Sequence, residues 1–105
     1  MEYKFYTLRN GKKPFNQWFD KLRDKIVKTL ILNRLARVVA GNFGDYRSLG
    51  NDLYELRIHY GSGWRIYFAL QRDSVLFLLG GSKAKQEIDI ALAKKYWKEF
   101  GEKLW

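Results

Sequence analysis

The chain has 105 residues, which leaves room for one compact domain with a modest core and excludes a multi-domain protein. Its hydrophobic content of 47% and aromatic content of 17% are too high for an intrinsically disordered chain. The 20 Lys and Arg residues outnumber the 11 Asp and Glu residues, and the resulting net charge of +9 favours a polyanionic partner, either a nucleic acid or an acidic protein.

Several kinds of chemistry are disfavoured by residue types that are missing or rare. The chain has no Cys, so disulfides, thiolate zinc sites and cysteine nucleophiles are excluded, and its single His cannot form an imidazole cluster. We therefore predict a protein with no metal ion and no cofactor. The longest apolar run, Val75 to Gly81, is too short for a signal sequence or a membrane span, so we expect a cytoplasmic protein that makes no contact with membranes.

The N-terminal part of the chain predicts a strand followed by two helices. Residues 2–8 alternate along the chain and lead into the turn residues 9–11, which is typical of an edge strand and a turn. Pro14 suits the first turn of a helix, and apolar residues then recur at steps of three and four. We expect a helical hairpin that breaks near Arg23–Asp24 and ends at Gly41; one long bent helix is the alternative.

The C-terminal part predicts a loop, three strands and a helix. Residues 42–51 contain two Gly and two Asn and predict a loop. Strands follow within residues 53–60, 64–70 and 75–81, and a helix begins near Glu87. The predicted core stripe of this helix consists of Ile88, Leu92, Tyr96 and Phe100. Residues 1–105 therefore predict a single α+β domain with an antiparallel sheet, an N-terminal helical hairpin and a C-terminal helix, with the helices on one sheet face.

The pairing of the strands can be predicted from their alternation. A three-residue turn at Gly61-Ser62-Gly63 keeps apolar residues opposite apolar residues, whereas a two-residue turn would set Arg57 opposite Ile66 and mix the faces. The face away from the core then carries Glu55, Arg57 and His59. The predicted cross-strand pairs are Ile58 with Ile66, His59 with Arg65, Arg57 with Tyr67, Phe77 with Phe68 and Leu79 with Ile66.

Positive charge is concentrated in the helical hairpin. Residues 21–40 contain six basic residues against one acidic residue. These basic residues could follow the phosphates of a nucleic acid, or they could simply form a solvated helix face. The six are Lys21, Arg23, Lys25, Lys28, Arg34 and Arg37.

The polar face of the sheet predicts a second basic site. It collects Arg57, His59, Arg65 and Tyr67, and Lys83 arrives at the end of the third strand. Cations that offset developing negative charge, beside a group that titrates near neutrality, suit a reaction at an RNA phosphate. The alternative is a solvent-exposed sheet face whose polar side chains contact only water.

Several blocks of this sequence are similar to one protein family. The stretches Tyr54 to Gly61, Gly63 to Phe68 and Leu79 to Ala93 resemble the RelE/ParE toxin superfamily, most closely its HigB-like, phage-derived addiction module killer branch. The resemblance implies a RelE-like fold and the toxin of a type II toxin-antitoxin pair, whose antitoxin partner usually carries a helix-turn-helix domain. It implies an endoribonuclease that cleaves mRNA on the ribosome, since RelE and HigB toxins do so. ParE-type members instead poison DNA gyrase, and a non-catalytic nucleic-acid-binding protein is a further alternative.

The resemblance also implies which residues act. Arg57, Arg65 and Lys83 match basic positions of the RNase members and are expected to hold the scissile phosphate. From its place on the polar sheet face, rather than from the resemblance, we expect His59 to act as general acid or base. Glu55 departs from RelE, which is basic at that position. Tyr67 and Trp64 could stack a base, although Trp64 could equally lie in the core. The residues expected to contact RNA are Tyr67, Lys85, Gln86, Lys25, Lys28, Arg34 and Arg37.

Overall fold

Five strands and three α-helices form within residues 1–102, the part of the chain that the computed structural model describes. Their bounds are β1 Glu2–Phe5, α1 Pro14–Lys21, α2 Lys25–Val39, β2 Tyr46–Gly50, β3 Leu53–Ile58, β4 Trp64–Gln71, β5 Ser74–Ser82 and α3 Gln86–Glu102, with a 3-10 turn at Lys83–Lys85. The predicted α+β class is confirmed. No helix within residues 1–102 is long and apolar enough to cross a membrane.

The sheet is mixed rather than purely antiparallel. Its strand order is β1-β5-β4-β3-β2, so β1 lies at an edge as predicted. Strands β2 to β5 pair antiparallel, but β1 pairs parallel with β5, from Glu2 opposite Ser74 to Phe5 opposite Phe77. The prediction of an antiparallel sheet is wrong for β1, because the chain returns to this edge through a long crossover and in the same direction.

The helical hairpin forms as predicted, and the long bent helix does not. Pro14 occupies the first turn of α1. Asp24 caps α2, since its Oδ1 accepts hydrogen bonds from the backbone N–H groups of Ile26 at 2.9 Å and Val27 at 3.3 Å. Gly41 follows the C-cap of α2 with a φ of +91°, a left-handed conformation that favours glycine.

A short strand, β2, forms where a loop was predicted. Asn51 and Asp52 both have positive φ, at 53° and 63°, as the two central residues of a tight hairpin turn require. The turn folds Tyr46–Gly50 back against β3, with an irregularity between Ser48 and Gly50. The prediction was wrong because the Asn-Asp pair was interpreted as part of a loop rather than as a hairpin turn.

The helices cover both faces of the sheet, which corrects the prediction of one covered face. Helices α1 and α2 pack against the face that carries Leu56 and Phe68. Helix α3 packs against the other face through Ala93, because Tyr67 and the neighbouring strands are apolar on that face too. Of the stripe predicted for α3, Leu92, Tyr96 and Phe100 pack against this core, whereas Ile88 is 70% exposed.

Two predicted registers are wrong by small shifts. The β3–β4 ladder ends at Ile58 opposite Trp64, so the connecting loop has five residues rather than three and Arg57 lies opposite Arg65. The shift is even, so every side chain keeps its face. Between β4 and β5, Phe68 lies opposite Phe77 as predicted, but a bulge then places Gly80 opposite Ile66.

Gly80 and Gly81 let two side chains pack directly onto β5. A Cβ atom on Gly80 would overlap the indole of Trp18, and one on Gly81 would overlap the carboxylate of Asp89. These contacts come from opposite faces of the sheet, since neighbouring residues of a strand point to opposite sides.

We expect Gly80→Ala to lower the free energy of unfolding by about 1 to 3 kcal/mol, because the added methyl displaces Trp18 from a packed position. Gly101→Ala is the matched control: no described atom lies within 4 Å of its Cβ position, and it lies in α3. The control should be neutral or stabilising by up to about 1 kcal/mol. Urea denaturation of both variants checks this, and equal effects would contradict the close contact.

Candidate functional site

Arg57 and Arg65 lie directly opposite each other on β3 and β4, on the sheet face that α3 covers. The prediction that this face gathers both guanidinium groups is confirmed. The expectation of an open face is wrong for Arg65, which is 5% exposed, whereas the Arg57 side chain is 32% exposed. Arg57 is therefore the more accessible of the two guanidinium groups.

A buried carboxylate holds this part of the sheet together. Glu55 is fully buried, and its Oε1 lies 3.5 Å from Arg57 Nε and 3.4 Å from Nη2 of Arg47 on β2. Its Oε2 accepts a hydrogen bond from Gln86 Nε2 at 2.9 Å. Gln86, which was predicted to contact RNA, therefore links the start of α3 to the strands.

Tyr67 and Asp89 are the other buried polar groups on this face. Burial, followed by the nearby Glu55 and Asp89 carboxylates, raises the pKa of Tyr67, so its phenol stays neutral at physiological pH. Burial also raises the pKa of Asp89, and nearby Lys85 opposes that change. The predicted RNA contact of Tyr67 would need an exposed ring, and this ring is fully buried.

Lys83 and Lys85 extend the positive charge beyond the strands. Both are exposed on the 3-10 turn, and the Lys83 backbone N–H donates to Gly63 O at 3.1 Å. A Cβ atom added to Gly63 would lie within 4 Å of both Lys83 Cβ and Arg65 Nη1. Lys83 and Arg65 are therefore neighbours on either side of Gly63. We call the following group the sheet cluster, in which the described residues set five cations against two carboxylates: Arg47, Arg57, Arg65, Lys83, Lys85, Glu55 and Asp89.

His59 lies just beyond the end of β3 and pairs with Asp45. Its Nε2 is 2.5 Å from Asp45 Oδ2, and this hydrogen bond is the main cause that lowers the pKa of Asp45. The His59 side chain is 68% exposed. Together with Arg57 and Arg37, the pair lines a cavity of about 420 Å³. Arg57 therefore belongs to the sheet cluster and also lines the cavity that contains the imidazole of His59.

The four helix residues predicted to contact RNA have different environments. Arg34 donates to the backbone oxygens of Arg57 at 2.7 Å, Phe43 at 2.9 Å and Asp45 at 3.0 Å, so it holds the 43–45 segment and β3 against α2. Lys28 Nζ lies 5.0 Å from the ring centroid of Phe19. Lys25 and Arg37 are exposed. Lys25 and Lys28 lie on α2, which packs on the sheet face opposite α3, whereas Arg34 and Arg37 line the cavity that also contains Arg57 and His59.

Sequence reasoning missed several members of the site. Asp45 carried no signal, because it lies in a segment interpreted as a loop, and Arg47 was hidden in the same segment. Glu55 was noted only as a departure from RelE, although a carboxylate between apolar strand residues is itself a signal of a buried, paired charge. Within residues 1–102, no group of three or more His, Asp or Glu side chains is arranged to hold a metal ion.

We expect Asp89→Asn to raise the free energy of unfolding at pH 7. Burial raises the pKa of Asp89 in the folded chain, so at neutral pH the buried, ionised carboxylate destabilises the fold. As the pH falls, Asp89 takes up a proton and this destabilisation disappears. The gain should shrink toward zero near pH 4, the pKa of an unfolded aspartate. Denaturation of wild type, Asp89→Asn and the exposed control Asp20→Asn between pH 4 and 7 measures it, and a pH-independent gain would contradict the burial argument.

Comparison with known proteins identifies a relative of this chain. No protein-family model matches the chain. An uncharacterized protein of Haemophilus influenzae is 40% identical over 88 residues, which cover 83% of this chain and 89% of the relative. At that identity and coverage the two proteins share a common fold and origin, and the chain belongs to the same family as this uncharacterized Haemophilus influenzae protein.

Proposed function

We propose that the chain is the toxin of a type II toxin-antitoxin pair and an endoribonuclease that cleaves mRNA on the ribosome. The observation that carries the proposal is the placement of Arg57, whose strand partner is Arg65 and which lines the same cavity as the His59–Asp45 pair. A pair of guanidinium groups beside an oriented imidazole suits a phosphodiester better than any uncharged substrate. The resemblance to RelE and HigB toxins supports the same reaction.

The excess of positive charge supports an anionic substrate. Glu55 neutralises part of the charge of Arg57 and Arg47, but Arg65, Lys83 and Lys85 remain without a carboxylate in an ion pair among the described residues. Lys83 and Lys85 are exposed, so a phosphate can reach them from solvent. Arg65 is buried, so its charge acts on the phosphate through protein of low dielectric constant rather than through water.

The proposed reaction needs no external nucleophile. The 2′-hydroxyl oxygen attacks the adjacent phosphorus and gives its proton to His59. The bond from phosphorus to the 5′ oxygen breaks, and that oxygen takes up a proton from water. The products are a 2′,3′-cyclic phosphate and a 5′-hydroxyl. Arg57 and Lys83 bind the phosphate, Arg65 stabilises the charge that develops on it, and Asp45 orients His59.

The remaining parts of the proposal follow from this role. The cognate antitoxin, a helix-turn-helix protein in the families that the chain resembles, would neutralise the toxin by covering the sheet cluster or the basic face of α2. The substrate is ribosome-bound mRNA, so the proposed location is the cytoplasm. No cofactor is required, because the basic side chains and His59 supply the charge stabilisation and the proton transfer.

We expect His59→Gln and Lys83→Ala each to lower the rate of RNA cleavage about 10²- to 10⁴-fold, since one removes proton transfer and the other a phosphate contact. Lys95→Ala removes one exposed positive charge from α3 and should leave cleavage unchanged. Each variant is induced in a bacterial host, where RNA 5′ ends are mapped and the growth rate is measured. Full cleavage by both site variants, with the fold retained by circular dichroism, would remove the assignment.

Arg65 needs a gentler substitution because it is buried. Arg65→Lys retains the charge but not the planar guanidinium, and should reduce cleavage about 10- to 10²-fold while growth arrest weakens in parallel. Arrest and cleavage that both survive Arg65→Ala, in a variant that melts like wild type, would show that Arg65 does not act on the phosphate.

Charge reversal on the two sides of the sheet separates a nuclease from a binding protein. We expect Lys83→Glu with Lys85→Glu to abolish toxicity, and Lys25→Glu with Lys28→Glu to leave cleavage intact. The opposite pattern would assign function to α2 and indicate a nucleic-acid-binding module. Toxicity with intact RNA and broken DNA would instead indicate a gyrase poison.

A further inference from the structure

Arg34 joins helix α2 to two separate backbone segments through its guanidinium group. Its Nη1 donates to Arg57 O at 2.7 Å, and its Nη2 donates to Phe43 O at 2.9 Å and to Asp45 O at 3.0 Å. A guanidinium group presents its N–H donors in a rigid planar fork, so acceptors that share one such group are fixed relative to one another. Helix α2, the segment before β2 and strand β3 are therefore held in one arrangement at this point.

The backbone of Asp45 is held from two sides. Its carbonyl oxygen accepts from Arg34 Nη2 and also from the backbone N–H of Arg57 at 3.0 Å. The segment is anchored in the core as well, since the rings of Phe43 and Phe68 pack with their centroids 5.2 Å apart. The position from which the Asp45 side chain projects is thus determined before its carboxylate binds anything.

The carboxylate that this backbone carries belongs to the proposed site. Asp45 Oδ2 is hydrogen-bonded to His59 Nε2, and both side chains are exposed. An exposed pair of this kind adds little stability by itself, because ordering two side chains costs conformational entropy and water competes for both. The pair therefore depends on a backbone that already places the carboxylate beside the imidazole.

Gly44 allows the guanidinium group to lie against the backbone that it binds. Its φ is +65°, and a Cβ atom at this position would lie 3.1 Å from Arg34 Nη2. A side chain here would press on the guanidinium group, which cannot move without weakening its bonds to Phe43 O and Asp45 O. The glycine and the arginine thus form one structural unit.

We propose that Arg34 is a positioning residue: it fixes the backbone of Asp45, and Asp45 in turn holds the His59 imidazole beside Arg57 for proton transfer. The reaction that this pair serves rests on the proposed function. With Nε2–H donating to Asp45, the nitrogen left to accept the proton of the 2′-hydroxyl is Nδ1. This role differs from the RNA contact expected of Arg34 from the sequence, since it requires no contact with the substrate.

The pKa of Asp45 reports whether the pair is formed. The hydrogen bond from His59 is the main cause that lowers this pKa, and the charges of Arg57 and Arg34 lower it further. Arg37 is the other charged group that lines the same cavity. A substitution at position 34 that retains the positive charge therefore separates the effect of positioning from the effect of charge.

Arg34→Lys retains the charge and removes the planar fork. We expect the pKa of Asp45 to rise toward the ordinary value of an aspartate, because the carboxylate no longer stays beside the imidazole of His59. The carboxyl 13C shift of Asp45 in a pH titration measures the change. Arg9→Lys alters an exposed arginine far along the chain from this segment and should leave the titration unchanged.

Gly44→Ala tests the same unit without removing the arginine. The added methyl presses on Arg34 Nη2, so we expect the pKa of Asp45 to rise in this variant too. Gly11→Ala is the matched control: its φ is +85°, so it carries a similar backbone strain, but no described atom lies within 4 Å of its Cβ position. The control should leave the pKa of Asp45 unchanged.

Cleavage of ribosome-bound mRNA by the purified protein gives a second readout. We expect Arg34→Lys to lower kcat about 10-fold and to change KM less than about twofold, since it disturbs proton transfer rather than substrate binding. In a His59→Gln background the same substitution should lower the rate less than about twofold, because the imidazole that Asp45 holds is gone. An equal loss in both backgrounds would assign Arg34 a purely structural role and overturn the inference.

The titration and the cleavage assay separate this inference from the proposed function. An Asp45 pKa that stays lowered in both Arg34→Lys and Gly44→Ala, with the fold retained by circular dichroism, would overturn the positioning role whatever the cleavage rate. A pKa that rises in both variants of a chain that cleaves no RNA would preserve the positioning of the pair and remove the nuclease.

Discussion

The buried Glu55 carboxylate is the interaction on which the candidate site depends. It brings together Arg57 from its own strand, Arg47 from β2 and Gln86 from the start of α3. A buried ion pair adds little net stability over apolar packing, but the loss of one partner leaves an unpaired charge and is strongly destabilising. Glu55 therefore acts by specifying one arrangement, in which the N-terminal end of α3 lies beside the guanidinium groups.

This arrangement explains how a covered sheet face can still present positive charge. Helix α3 packs along the face through Ala93 and buries Tyr67 and Arg65. At the N-terminal end of the helix, the 3-10 turn carries Lys83 and Lys85 outward, and Arg57 stays partly exposed. The charge is thus accessible along a margin of the sheet rather than across its surface, which restricts the orientation in which an extended polyanion can approach.

Most of the elements could be predicted from the sequence, because local signals determine them. Pro14, Asp24 and Gly41 delimit the helices, and strand alternation assigned Arg57 and Arg65 to one face. The parallel pairing of β1, the bulge near Tyr67 and the coverage of both faces depend on contacts between distant segments, which periodicity does not encode. The site was predicted only in part. Four of the five cations of the sheet cluster and His59 were found, whereas Arg47 and the carboxylates Glu55 and Asp45 required the tertiary structure.

The glycine pair of β5 connects the fold to its candidate chemistry. Gly80 admits Trp18 from the α1 side, and Gly81 admits Asp89 from the α3 side, so the two faces of the sheet meet around a single edge. Any side chain at either position would move one of these groups away from the strand. A sheet edge that needed only to be stable would be filled by larger apolar residues, which lose less conformational entropy on folding than glycine. At these two positions glycine instead admits an indole and a carboxylate, and both side chains line a cavity beside Arg65.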